Sequence, residues 1–228
     1  VGDGRLAFHA HAAALGHDEA EFSVNETTTS SRHMLQEALS LVGETPDSHD
    51  RCRLLLALTR ARNMSGACDP AKDYGRRTAD MARRLGYQEA LAEVLIHEVL
   101  VPRPGYVPSQ LPDIEARLGE LMAVARSVEN FDLTSRAFAT AFYRWTEIGV
   151  RERMDALHAE WSAWGDARNN ALVQWLVRHV QAMLATLDGN LAAAESQAEQ
   201  AVRMGRRSQG DQAEGVYGMQ MFTIRREQ

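Results

Sequence analysis

Apolar residues recur along this chain at intervals of three and four, with Ala, Arg, Glu and Gln filling many of the positions between them. That is the period of an amphipathic helix, and these residues are good helix formers. Strand-like alternation of β-branched residues is absent from the sequence, so no strand is predicted. A first helix is read over residues 5–15. The stretch 16–29 (GHDEAEFSVNETTT) is polar and aperiodic and reads as a mobile loop. Ser30 or Ser31 can cap the next helix, which carries Met34, Leu35, Ala38, Leu39 and Val42 on one side. Further helices are predicted over 49–64 and 70–85. Pro70 opens the second of these, where a missing N–H is tolerated, and Gly86 is placed to end it.

The sequence then repeats itself. Slid by 123 residues without a gap, Gly66 meets Gly189, Ala71 meets Ala194, and Met81 meets Met204. Arg83-Arg84 meets Arg206-Arg207, and Ala90 meets Ala213. Three units of about 41 residues fill that slide, a length suited to one helix pair of a repeat protein. The pairs read as 88–100 with 113–128, 133–147 with 151–164, and 170–187 with 191–208, and a single helix opens at Asp211. Gly66, Gly149 and Gly189 stand where the first helix of a pair hands over to the second, at a turn that favours glycine.

The helix over 170–187 is apolar on two sides. One stripe holds Leu172, Trp175 or Leu176, and Met183; the other holds Val173, Val177, Val180, Leu184 and Leu187. A thin polar line of Asn170, Gln174, Arg178 and Gln181 separates them. Such a helix needs neighbours on two flanks, which a stack of helix pairs supplies. The pattern predicts an all-α fold, a right-handed α-solenoid of antiparallel helix pairs. Residues 1–47 form helices and a loop leading into a repeat domain over 48–228, which is cut at its C-terminus.

Two segments carry a resemblance: DPAKDYGRRTADMARRLGYQEALAEVLIH and GNLAAAESQAEQAVRMGRRSQGDQAEGVYGMQMFTIRREQ. Over about residues 50–228 the chain resembles the tetratricopeptide-like region of large multidomain bacterial regulators. In these a signalling NTPase module is followed by such repeats. An adenylate/guanylate cyclase domain or a LuxR/MalT-type DNA-binding domain stands at one end. The resemblance implies a regulatory arm that senses a ligand or docks a partner and contributes to self-association.

Composition narrows the function classes. The chain is 45% hydrophobic and 25% charged, which is ordinary for a packed core. With 25 Lys and Arg against 31 Asp and Glu, its net charge of −6 argues against direct nucleic-acid binding. Two cysteines, Cys52 and Cys68, fit a reducing cytoplasm better than a disulfide framework. No apolar run approaches the ~18 residues of a membrane span, and no signal-peptide pattern opens the chain. Val1 and Gln228 both fall inside helical patterns, so both ends read as cut.

Catalytic motifs are missing from the sequence. Neither G-x-x-x-x-G-K-[ST] nor a G-x-G-x-x-G after a strand occurs, and no cofactor is predicted. Glu93 and His97 share a helix face, but zinc takes three or four ligands, and no metal site is predicted. Cys52 with His49 is the minimum for a thiolate nucleophile; without a third orienting group, a buried cysteine is the preferred reading. Trp145, Trp161, Trp164 and Trp175 fall within 31 residues. Stacked, they can hold a sugar, a nucleobase or a proline-rich peptide, but their helical spacing favours a bulky core. The stretch 101–112 (VPRPGYVPSQLP) holds four of the six prolines and reads as a stiff crossover.

The better binding candidate is the polar edge of the first helix in each pair. It reads Glu89, Glu93, His97; then Arg136, Thr140, Tyr143; then Gln174, Arg178, Gln181. Side by side, these edges are expected to be exposed and to line one concave groove for a protein partner or a small ligand. The sequence thus predicts a non-catalytic sensing or docking module in the cytoplasm. One rival is a scaffold that contacts only its own NTPase or effector domains. The other is a hydrolase with an unrecognised site, which no motif supports.

Overall fold

The structure is a computed structural model that describes residues 35–41, 46–64, 68–100, 110–206 and 209–228. The expected first helix, the stretch 16–29, the caps at Ser30 and Ser31, Gly66 and most of the proline-rich crossover lie outside the described residues. Among the described residues every regular element is helical. A helical stretch at 35–41 is followed by α1 (His49–Met64), α2 (Cys68–Leu85), α3 (Gln88–Leu100) and α4 (Leu111–Ser127). Then come α5 (Phe131–Ile148), α6 (Arg151–Asp166), α7 (Ala171–Leu187), α8 (Leu191–Gly205) and α9 (Asp211–Glu227). The chain divides into two compact units, Val1–Arg144 and Trp145–Gln228.

Short polar side chains start several helices. Ser48 Oγ accepts from Arg51 N at 3.2 Å, Asn130 Oδ1 from Leu133 N at 3.0 Å, Asn170 Oδ1 from Val173 N at 3.1 Å and Asn190 Oδ1 from Ala193 N at 3.2 Å. Each satisfies one N–H that the first helical turn leaves without an internal partner. Asn170, expected as the first residue of its helix, is therefore its cap. Gly149 and Gly189 follow α5 and α7 with φ of 79° and 71°, the left-handed conformation in which glycine costs least.

In the first unit α1 packs on α2, α2 on α3, α3 on α4, and α1 also on α3. Leu54 and Leu58 of α1 close a core with Leu35 and Ala38. Helices α1 and α3 run in one direction. Arg53 Nε donates to Tyr87 Oη, 34 residues on, at 3.0 Å, and two turns later Arg60 pairs with Glu93. Glu93 also meets Arg136 of α5, 43 residues further along. The expected step of 41 is thus not uniform. Link length sets it: Gly86 and Tyr87 alone separate α2 from α3, whereas residues 101–110 separate α3 from α4.

In the second unit α6 packs on α7, α7 on α8, α8 on α9, and α9 returns to α7. The side of α8 that makes this possible is built from small residues, Ala194, Ala198, Ala201 and Gly205, all buried. Ala182, Ala194, Ala198 and Ile224 form one core cluster, and Trp175, Ala201 and Ala213 form another. The pairing of 182 with 194 and of 175 with 201 makes α7 and α8 antiparallel. Gln220 Nε2 donates to His179 O at 2.8 Å across 41 residues.

Gly205 marks the tightest point of α8. A Cβ there would lie 2.6 Å from Trp175 Nε1 and 2.7 Å from Ala213 Cβ. An indole and a Cβ held by two packed helices cannot move aside as a flexible side-chain tip does. Gly205→Ala is expected to destabilise the fold by about 1–3 kcal/mol, despite the better helix propensity of alanine. Added Cβ atoms at Gly119 and Gly218 meet nothing within 4 Å. Alanine at either site is expected to stabilise by about 0.5–1 kcal/mol. Denaturant unfolding of the three variants checks the contrast in sign.

Candidate functional site

Glu93 on α3 stands between Arg60 of α1 and Arg136 of α5. The carboxylate side chain is 17% exposed, against 35% and 42% for the two arginines, so it lies behind them. Burial opposes ionisation of Glu93, but the charges and hydrogen bonds of Arg60 and Arg136 outweigh it and hold the carboxyl below its ordinary range. His97, one turn on, is pushed down to about 4, first by burial and then by Arg60; Glu93 opposes this and Arg136 adds to it. The imidazole is therefore neutral at pH 7. Two of the expected edges do meet here, Glu93 with Arg136, and they neutralise much of each other.

Thr140 corrects the expectation for α5: it is 4% exposed and so does not stand on an open edge. One turn separates it from Arg136. A long arginine stem reaches solvent from a position where a short threonine stays covered. Tyr143, two turns from Arg136, is exposed and sits edge-on to Phe142 at 6.1 Å; burial of its hydroxyl end raises its pKa.

On α7 the expected polar line runs along the border with α8. Counted from the helix starts, Glu93, Arg136, Leu176 and Val216 are each the sixth residue of α3, α5, α7 and α9. Arg178 lies two residues further, roughly 200° around a helix of 3.6 residues per turn. Its Nη1 donates to Gln197 Oε1 of α8 at 3.1 Å and to Gln181 Oε1 at 3.2 Å. Arg178 and Gln181 therefore border α8 rather than the face that α7 shares with α9. Gln174, on the same line, is half-buried.

The face between α7 and α9 carries His179, Met183, Thr186 and Leu187 opposite Val216, Met219, Gln220 and Thr223, around a cavity of about 240 Å³. Burial pushes His179 down, with the Gln220 carboxamide acting against it. None of these eight residues was singled out as a binding candidate from sequence. Alignment by helix starts was the signal that finds them.

Three of the four tryptophans, Trp145, Trp161 and Trp175, are buried core residues. Trp164 is half-buried, with the Arg168 guanidinium 4.6 Å above its ring. Cys52 is buried, its Sγ 3.9 Å from Thr78 O, and burial pushes the thiol up to about 11. It is not a thiolate at neutral pH. His49 packs against the Tyr87 ring at 4.9 Å. Among the described residues no three metal-ligating side chains stand together, and no helix is long and apolar enough to cross a membrane.

His97 makes stability depend on pH. Its ordinary value is 6.5 and its folded value about 4, so between them the unfolded chain binds the extra proton. The full stability is present above pH 6.5 and falls on acidification toward 4, by on the order of 3 kcal/mol. Glu93 acts in the same direction at lower pH, because its contribution is lost as pH falls through its depressed folded value. His97→Gln is expected to flatten the slope between pH 6.5 and 4, and an unchanged slope in denaturation midpoints would contradict this assignment. None of the protein-family models matches the chain, and no curated protein matches it at a significant level.

Proposed function

We propose that the chain is a tetratricopeptide-like, right-handed α-solenoid that serves as a non-catalytic docking module of a multidomain bacterial regulator in the cytoplasm. The face shared by α7 and α9 takes an apolar helical segment of a protein partner. One observation carries this reading. The cavity is lined by Met183, Leu187, Val216 and Met219, and Leu187, Met219 and the neighbouring Phe222 are 60%, 67% and 70% exposed. Contiguous exposed apolar side chains mark sites where another surface is bound. Methionine adapts its shape to the group it covers. Two helices running side by side leave a furrow that accepts side chains at i, i+3, i+4 and i+7 of a third helix.

The repeat reading is supported by the same-direction contacts between alternate helices, from Arg60 to Glu93 and from His179 to Gln220. The non-catalytic reading is supported by the state of the reactive groups: Cys52 is held as a thiol, and Glu93 is spent on two arginines. A second reading, an internal scaffold for the regulator's own domains, draws on that same self-neutralised edge. Its occupant is then a segment of the same protein.

Selection from a displayed library of helical peptides on the intact chain tests the docking reading. Enriched peptides are expected to carry apolar residues at helical spacing and to bind at least tenfold more weakly to Met219→Glu. Met219 is mostly exposed, so this variant is expected to stay folded. Peptides that bind both proteins equally, or no enrichment, would retire it.

A further inference from the structure

We infer that Arg178 is the centre of an oxyanion site on the flank of α7 that borders α8, taking a carboxylate or a phosphate group. This goes beyond the docking face, which lies on another side of α7, and it stands or falls separately.

Most arginines described in the second unit have a carboxylate partner: Arg151 has Asp155 and Asp188, Arg203 has Glu199, Arg206 has Glu214, and Arg225 has Glu195. Arg178 differs. It is half-buried, and its partners among the described residues are two carboxamide oxygens. The lines facing it explain this. Along α7 they read Gln174, Gln181 and Ala185, and along α8 Ala193, Gln197, Gln200 and Met204, with no acid among them. The acids of α8, Glu195 and Glu199, are engaged by Arg225 and Arg203. On the side of α6, His158 Nε2 lies 3.2 Å from Val177 O and brings no negative charge.

The hydrogen bonds of the guanidinium define what else it can hold. Nη1 has two N–H groups, and the oxygens of Gln181 and Gln197 take them. These contacts hold the plane of the guanidinium. They leave Nε–H and the two N–H of Nη2, the edge that grips an oxyanion with two parallel bonds. Gln181 and Gln197 spend their oxygens on Arg178, so their Nε2 groups remain as further donors. Apart from the carboxamides of Gln174 and Gln200, the latter with its Nε2 given to Ser196 Oγ, the groups left over at this place are donors, and the local charge is +1. Their complement is an acceptor carrying negative charge.

The intact ¹⁵N-labelled chain titrated with inorganic phosphate, and separately with acetate, tests this at constant ionic strength made up with chloride. The Arg178 Nε–Hε resonance is identified as the one lost in Arg178→Lys. It is expected to shift saturably, together with the side-chain amides of Gln181 and Gln197. Those amide shifts are expected to need at least tenfold more anion in Arg178→Gln, while Arg225→Gln, whose site is already held by Glu195, leaves them unchanged. Saturation by phosphate alone assigns a phosphate group, and saturation by acetate assigns a carboxylate; either supports the site. Drift of all arginine resonances together without saturation would overturn it. So would saturation that survives in Arg178→Gln. Because the partners of Arg178 among the described residues are carboxamides, the glutamine variant is expected to melt at the wild-type temperature; should it unfold, Arg178→Lys supplies the same comparison through the Gln181 and Gln197 amides.

Discussion

Everything in the second unit depends on how closely α8 can approach two helices at once. A helix presenting leucines at that position would hold its neighbours 8–10 Å away or more. Ala194, Ala198, Ala201 and Gly205 remove that bulk, and the space goes to Trp175 from one side and Ala213 from the other. Gly165 plays the same part for α6, where an added Cβ would come within 2.4 Å of Val173 Cγ1. Small residues here act through what they allow to be buried. The indole, not the alanine, supplies most of the apolar area.

Once α8 is seated this way, α9 has to lie along α7. The two helices run in one direction and share the cavity between them. One polar bond, from Gln220 Nε2 to His179 O, fixes their register. Above it the furrow is lined by Met183 and Met219 and remains open. The first unit handles the equivalent problem with charge. Glu93 bridges Arg60 and Arg136, so the strip between α1, α3 and α5 is held by ion pairs. A partly buried pair of this kind is worth little relative to a well-packed apolar contact, yet breaking it is costly because the remaining charges lose their partner.

The helices themselves were legible in the sequence because period, caps and glycines agree. The starts and ends of α1, α7 and α8 and the start of α9 fall within a few residues of the expected ones, and Gly149 and Gly189 sit at positive φ at the expected turns. Which side chains line which face was less legible. Polarity alone selected Arg178, whereas counting from the start of α7 selects Leu176, and two residues turn a helix by more than half a circle. Burial of Thr140 depends on side-chain length, which a polar-apolar pattern does not record. The ion pairs of Glu93 reach 33 residues back and 43 forward, and no single repeat length predicts both.

Helix α9 returns onto α7 in the same direction, across the small face of α8. Nuclear Overhauser contacts in the intact chain read this directly. Cross-peaks are expected from the Gln220 side-chain amide to residues 179 and 180, from the Trp175 indole to the Ala213 methyl, and between the Met183 and Met219 methyls. Contacts from Gln220 and Ala213 to α8 alone, with none to α7, would contradict it.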